Sequence, residues 1–216
     1  MYDYQQIIDK YYPEGTRLRD IYMRHCRQVA DKALSIARAC GLTAVSALSG
    51  NDLSSPAGQD VSEPLDEGDI EAAAMLHDIG ICLCDAPGID CHGTDHYLRH
   101  GLLGADLLRR EGCPEKFARV AERHTGAGLT REDIVADGLP LPLDRCFMPQ
   151  TRLERLICYA DKFFSKSGDM EEKPIGRVLA SITKFGPEAF ARFRALQQEF
   201  TLPAEQLARL IFVKDL

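Results

Sequence analysis

The sequence predicts an all-α fold, a helical bundle formed by a single domain. Apolar residues recur at intervals of three and four in nearly every periodic segment, which is the spacing of one helix face. No two segments alternate apolar and polar residues clearly enough to predict paired strands. The 216 residues suffice for one sizeable core, and no change of composition divides them. We therefore expect one domain over 1–216.

Ten segments show the helical period, and terminating or capping residues set several of their ends. Gly41 is placed to end the long second segment, and Pro114 suits the first turn of the fifth. Thr130 and Thr151 each stand three residues before an acidic residue, which is the pattern of a capping box. The predicted helices are about 3–12, 17–40, 68–77, 94–111, 114–124, 130–137, 151–167, 173–184, 187–199 and 203–213.

Three of the connecting segments have compositions that disfavour helix. Residues 42–67 are rich in Ser, Gly, Asp and Pro, which predicts a long flexible surface loop. Residues 81–93 contain Gly, Pro and Asp and predict irregular structure. Residues 138–150 hold three prolines, so this segment is expected to be extended or turned.

Composition and charge argue against several classes of function. The formal net charge of -7 disfavours a surface that coats a nucleic-acid polymer, which needs clustered excess Lys and Arg. No apolar run approaches the ~18 residues that a membrane helix needs. Residues 1–10 are polar and lack an apolar signal core, so the cytoplasm is the expected compartment. The eight cysteines are accordingly expected to be reduced thiols.

The most informative motif is His77–Asp78, followed by Ile79–Gly80, at the end of the third predicted helix. The imidazole and the carboxylate offer a divalent metal a nitrogen and an oxygen, and the second carboxylate oxygen is free to bridge to another metal. Four further predicted helices also carry an imidazole or a carboxylate on their apolar face. These residues are His25, His96 with His100, His124, and Asp161.

This joint pattern favours a metal site over separate buried groups. One histidine on an apolar face is more often a hydrogen-bonded core residue, but burying several polar groups in separate places is costly. A divalent cation that gathers them replaces the lost solvation. A structural zinc site is a second alternative, although its spacing is not that of a usual zinc finger. Its candidate ligands are Cys82, Cys84, Cys91 and His92.

The order of the candidate ligands resembles the HD superfamily of metal-dependent phosphohydrolases, in its HDIG branch. The resemblance covers about 16–168, so the helices over 173–213 are expected to brace that core. The segments that carry it are RHCRQVADKAL, AAAMLHDIGI, YLRHGLLGADLLRREG, AERHTGAGLT and ICYADKFFSKS.

The resemblance implies two divalent metal ions, drawn from Fe, Mn, Co, Ni, Zn or Mg, with Asp78 as the bridging and catalytic carboxylate. His96, one predicted helical turn before His100, is a candidate further ligand or proton donor to the leaving group. The other implied ligands are His25, His77 and Asp161 for one ion, and His100 and His124 for the second.

The implied activity is hydrolysis of a phosphate ester, with a nucleotide or dinucleotide favoured, by a metal-activated water. Lys162, also a candidate catalytic residue, and Lys166 share a face of the predicted helix over 151–167 and are the favoured phosphate ligands. Further candidates for substrate binding are Arg99, Arg123 and Thr125. The expected partner is a small-molecule phosphate ester, with no nucleic-acid polymer and no membrane. The sequence does not decide whether the protein forms a homodimer. The alternative function is a metal-loaded module that senses a nucleotide without turnover.

Overall fold

The structure, a computed structural model, describes residues 2–44 and 64–201 and has the predicted all-α fold. The helices in these ranges are α1 (Gln5–Tyr11), α2 (Arg17–Ala39), α3 (Glu67–Leu76), α4 (His100–Arg110), α5 (Glu115–Arg123), α6 (Arg131–Ala136), α7 (Arg152–Asp161), α8 (Ile175–Ile182) and α9 (Pro187–Glu199). Short 3₁₀ turns cover Ile79–Leu83, Pro87–Ile89, Tyr97–Arg99 and Thr183–Phe185. None of the described helices is long and apolar enough to cross a membrane.

The local signals at the helix ends are confirmed. The Thr130 hydroxyl accepts from the Asp133 amide at 3.1 Å, and the Asp133 carboxylate accepts from the Thr130 amide at 2.8 Å. Thr151 and Glu154 form the same reciprocal pair at the start of α7. Gly41 follows α2 with φ 64°, the left-handed conformation that ends many helices.

Two predicted helices begin or end elsewhere. Helix α4 begins at His100 instead of residue 94, because the amides of Thr94 and Asp95 both donate to the Leu83 carbonyl. Helix α7 ends at Asp161 instead of residue 167. The prediction that 94–99 continues the helix is therefore wrong, and so is the helical face assigned to His96.

A two-stranded hairpin occupies part of the segment that was predicted to be irregular. Strands β1 (Asp85–Ala86) and β2 (Cys91–His92) pair antiparallel, with Asp85 opposite His92 and Ala86 opposite Cys91. The 3₁₀ turn Pro87–Ile89 connects them.

Residues 45–63 of the predicted loop 42–67 and the predicted helix over 203–213 lie outside the described residues. At the two described ends of that loop, the Leu65 amide donates to the Leu42 carbonyl at 2.7 Å. Helix α3 then begins at Glu67, capped by the Asp66 carboxylate.

The core lies between α2, α3, α5 and α7, and α4 packs against α5 and the turn Ile79–Leu83. Two buried tyrosines stack here, Tyr12 on Tyr22, with ring centroids 4.0 Å apart. The Tyr12 hydroxyl donates to the Ile79 carbonyl at 2.9 Å, and the Tyr22 hydroxyl donates to the Met75 carbonyl. These bonds hold the backbone on both sides of His77–Asp78.

Helix α4 approaches the turn after Asp78 through two glycines. A Cβ atom added at Gly80 would lie 2.2 Å from the His100 carbonyl oxygen and 2.4 Å from the Gly104 nitrogen. Both contacts are to backbone, so they cannot be relieved by a side-chain rotation. Small residues here let His100 lie beside Asp78.

We expect Gly80→Ala to lower the free energy of unfolding by about 3 kcal/mol or more, at the upper end of overpacking effects. Gly88→Ala is the matched control, because an added Cβ there meets no heavy atom within 4 Å. Urea denaturation of both variants measures the difference. Equal stability of the two variants would contradict the close approach of α4 and the 3₁₀ turn.

Candidate metal centre

Four buried side chains from three parts of the fold converge on one point. Their ligand atoms all lie within 4.8 Å of one another. His25 comes from α2, His77 and Asp78 follow α3, and Asp161 ends α7. The His25 Nε2 atom lies 3.1 Å from Asp78 Oδ2 and 3.1 Å from Asp161 Oδ1.

A second buried group shares one of these residues. The ligand atoms of Asp78, His100 and His124 also lie within 4.8 Å of one another. The Nε2 atoms of His100 and His124 are each 3.4 Å from Asp78 Oδ1. The Oδ2 atom of Asp78 instead lies 3.1 Å from the Nε2 atoms of His25 and His77. The two oxygens of Asp78 therefore face different groups, as a bridging carboxylate requires.

Backbone carbonyls set the tautomer of three of the histidines. In each, Nδ1 lies 2.6 to 2.7 Å from the carbonyl oxygen three residues earlier, so a proton on Nδ1 is donated to the backbone. The neutral ring then carries its lone pair on Nε2, which is how a metal-binding imidazole is usually oriented. The pairs are His77 with Ala74, His100 with Tyr97, and His124 with Ala121.

The Nε2 atoms of these histidines are placed as metal ligands would be. Within the described part of the chain, the buried atoms His25 Nε2, His77 Nε2 and Asp78 Oδ1 have no hydrogen-bond partner. The Nε2 atoms of His100 and His124 lie 3.0 Å apart although both rings use Nδ1 as donor. Two lone pairs at this distance repel unless a proton or a cation lies between them. Imidazole and carboxylate donors suit Zn, Fe, Mn, Co or Ni, so these residues fit a divalent transition metal.

The ionisation of the first group also favours a positive charge. Burial by itself lowers the pKa of His77, but the charge of Asp78 and the hydrogen bonds to Asp161 and Asp78 together raise it well above its ordinary value. Burial raises the pKa of Asp78, but the charges of His77 and Lys166 hold it well below its usual range. In the second group, burial, together with the charge of His124, lowers the pKa of His100 to about 3. The His100 imidazole is therefore neutral at physiological pH, as a metal ligand must be.

Both predicted lysines contact the carboxylates of the centre. Lys162 Nζ lies 2.6 Å from Asp161 Oδ2, and Lys166 Nζ lies 2.6 Å from Asp78 Oδ2. The prediction that the two lysines share a helix face was wrong, because α7 ends at Asp161. Chain reversal after Asp161 brings both of them to the site instead.

The structure does not bring the other candidates into the two ligand groups. His96 is exposed, and its Nδ1 accepts from the Leu98 amide at 3.2 Å. Arg99 pairs with Asp95 at 2.7 Å. Thr125 follows His124 but lines a separate, mainly apolar cavity.

Arg123, predicted to bind substrate, is instead paired inside the protein. Its Nη1 lies 3.0 Å from the buried carboxylate of Glu154, and its Nε donates to the Cys146 carbonyl at 3.2 Å. We expect Arg123→Ala to lower the free energy of unfolding by about 1–3 kcal/mol, the usual cost of leaving a buried acceptor short of a donor. Thermal denaturation measures the contribution of Arg123 to stability, and the KM for a phosphate ester measures its contribution to substrate binding. Unchanged stability with a raised KM would return Arg123 to the substrate site.

The alternative zinc site is wrong for the described part of the chain. None of its four candidates belongs to a ligand group of three or more there. The thiols of Cys82, Cys84 and Cys91 point to backbone carbonyls, and His92 is exposed beside Asp90. All eight cysteines are free, as expected.

Sequence reasoning missed a cavity of about 450 Å³ beside the centre. Tyr97 lines it, and the Tyr97 ring stacks on His100 with centroids 4.8 Å apart. Ser165, Lys166 and the hairpin turn at Pro87–Ile89 complete much of the wall. The dipeptide Pro87–Gly88 is a turn signal that predicts such a hairpin.

Comparison with known proteins gives relatives that are longer than the region they share with this chain. An uncharacterised protein of Methanocaldococcus jannaschii is 38% identical over 92 residues, which are 43% of this chain and 46% of that protein. A tRNA (cytidine(56)-2'-O)-methyltransferase of Thermoplasma volcanium is 34% identical over 131 residues, covering 61% of this chain and 34% of the enzyme. The methyltransferase of the same name from Picrophilus torridus is 31% identical over 102 residues, covering 47% and 26%. The chain thus spans less than half the length of each of these relatives.

No solved structure matches the chain. The family model described as HD domain matches residues 22–165 of the 216. That range holds every member of the two ligand groups. The chain belongs to the HD domain family.

Proposed function

We propose that the protein is a phosphohydrolase of the HDIG branch that uses two divalent metal ions to cleave a phosphate ester, with a nucleotide favoured. The observation that carries this proposal is the buried Asp78 carboxylate, whose two oxygens face two separate groups of histidines. Two metal ions about 3.5–4 Å apart are typical of enzymes that hydrolyse phosphate esters.

The charge of the site supports an anionic substrate. Lys162 and Lys166 balance the carboxylates of Asp161 and Asp78. Each divalent ion held at this centre would therefore add positive charge that the carboxylates do not cancel. A phosphate group is the complement of such a site, although the whole chain has a net charge of -7.

The protein residues hold and orient the reacting groups. When bound, the ions supply Lewis-acid polarisation of a phosphoryl oxygen and an activated water near neutral pH. The backbone bonds at Nδ1 fix the rings of His77, His100 and His124, whose Nε2 atoms would hold the ions. The ammonium groups of Lys166 and Lys162 lie beside the carboxylates of the centre and would be available to a phosphate bound there.

Phosphate release from a panel of nucleotides and one dinucleotide, with each of Fe, Mn, Co, Ni, Zn and Mg after anaerobic purification, tests the proposal. We expect turnover with at least one metal and none after chelation. Tight nucleotide binding without turnover under any metal would favour the sensing module instead. Because two relatives are tRNA methyltransferases, tRNA is a further substrate in the panel, and its selective cleavage would overturn the expectation of a small-molecule substrate.

A further inference from the structure

The cavity of about 450 Å³ joins the metal centre through two residues that are not metal ligands. Tyr97 lines it and stacks on His100, and Lys166 lines it while its Nζ lies 2.6 Å from Asp78 Oδ2. Lys166 therefore stands between the cavity and the bridging carboxylate. A molecule bound in the cavity would therefore contact the metal centre at Lys166.

We infer that this cavity binds the organic part of a phosphomonoester whose phosphate lies between Lys166 and the metal centre. The inference rests on the proposed function and names its substrate class. The wall combines an aromatic residue, Tyr97, and the turn at Pro87–Ile89 with two hydroxyl-bearing residues, Ser165 and Ser167. These groups suit a planar ring and a hydroxylated part in one ligand, which is the chemistry of a nucleoside.

The size of the cavity favours one such group. Its volume of about 450 Å³ lies in the lower half of the range of roughly 300–1,000 Å³ that small-molecule sites occupy. The other cavity that reaches the segment after His124 is lined by Leu98, Thr125 and Leu129 and has about 150 Å³. It is too small for a second nucleoside, and Arg192 in its wall is already paired with Asp133 at 2.6 Å.

Charge also favours a monoester over a diester. A phosphomonoester carries about -1.5 to -2 charge at pH 7, whereas a diester carries a single negative charge. Because Lys162 and Lys166 already balance the carboxylates, two divalent ions would leave a net positive charge, which the more highly charged form complements better. The test therefore compares a dianion with its monoanionic ester.

Gly88 offers a way to fill the cavity without disturbing the metal ligands. It lines the cavity, and a Cβ added there meets no heavy atom within 4 Å. Gly176, on α8, has the same free space but does not line the cavity. Gly88→Phe and Gly176→Phe are therefore a matched pair.

Calorimetry on the metal-loaded protein with phenylphosphonate and methylphosphonate, which are not hydrolysed, tests the inference by binding alone. We expect Gly88→Phe to weaken phenylphosphonate about tenfold or more, close to 1.4 kcal/mol, and to leave methylphosphonate nearly unchanged. Gly176→Phe should leave both unchanged, and metal content should be equal in all three proteins. Lys166→Met should weaken both phosphonates, because it removes a charge that faces the phosphate.

Three outcomes would overturn the inference. The first is unchanged binding of phenylphosphonate to Gly88→Phe when Tyr97→Leu also binds it normally. The second is an equal loss of both phosphonates in Gly88→Phe. The third is binding of the monomethyl ester of phenylphosphonate as tight as that of the free dianion. The binding experiment needs no turnover. If no nucleotide is hydrolysed but selective phosphonate binding is intact, the proposed hydrolytic activity is rejected and the inference about the cavity stands.

Discussion

Asp78→Ala is expected to remove both metal ions and the hydrolytic activity together. Asp78 is the residue common to both ligand groups of the described chain, and its two oxygens face different groups. Replacing it by alanine takes one ligand from each ion and leaves Lys166 without its carboxylate partner. Loss of the several kcal/mol that metal ions contribute to a transition state corresponds to about a thousandfold or more in rate.

Metal analysis of the purified variant, beside phosphate release, measures this effect. Asp106→Ala is the matched control, since Asp106 is partly exposed on α4 and its ion pairs among the described residues are with Arg109 and Arg145. Asp78→Asn keeps the volume of the side chain and serves if the alanine variant does not fold. Two ions per chain in either Asp78 variant would contradict the bridging role.

The helix ends were predictable because their causes are local. Thr130 with Asp133 and Thr151 with Glu154 form reciprocal hydrogen bonds within four residues of chain. The left-handed residue Gly41 likewise ends α2 without help from elsewhere. Sequence spacing alone contains this information.

The errors lie where distant backbone competes with the helix. The amides of Thr94 and Asp95 donate to the Leu83 carbonyl, and the Asp85 amide donates to the Asp95 carbonyl. These bonds hold the segment before His100 against the hairpin, so it cannot follow the helical phase. His96 therefore caps a 3₁₀ turn at the surface instead of joining the ligands.

The convergence of the candidate ligands could be predicted from sequence because each of them lies at a fixed place on or next to an amphipathic helix. His25, His77, His124 and Asp161 are all buried, as their apolar neighbours predicted. The cavity could not be predicted in the same way. It depends on how the Pro87–Ile89 turn and Tyr97 come to line the same space, and these segments share no periodicity.

His100→Ala is expected to lower the metal content from two ions to one while the first ligand group stays loaded. His100 belongs to the second group alone, where its Nε2 lies 3.4 Å from Asp78 Oδ1. His25→Ala is the reciprocal variant, because His25 contacts Asp78 Oδ2 and Asp161 Oδ1 in the first group. Each variant should therefore keep the ion that the other loses.

Metal analysis counts the ions in these two variants, and anomalous diffraction from crystals at the metal absorption edge locates the one that remains. His92→Ala, exposed and outside both groups, should keep both ions. Two ions in both His100→Ala and His25→Ala would reject the assignment of the ligands to two separate sites. Loss of both ions in His100→Ala would instead mean that the ion of the His100 group is needed to hold the ion of the His25 group. In that case, both ions together would orient Asp78.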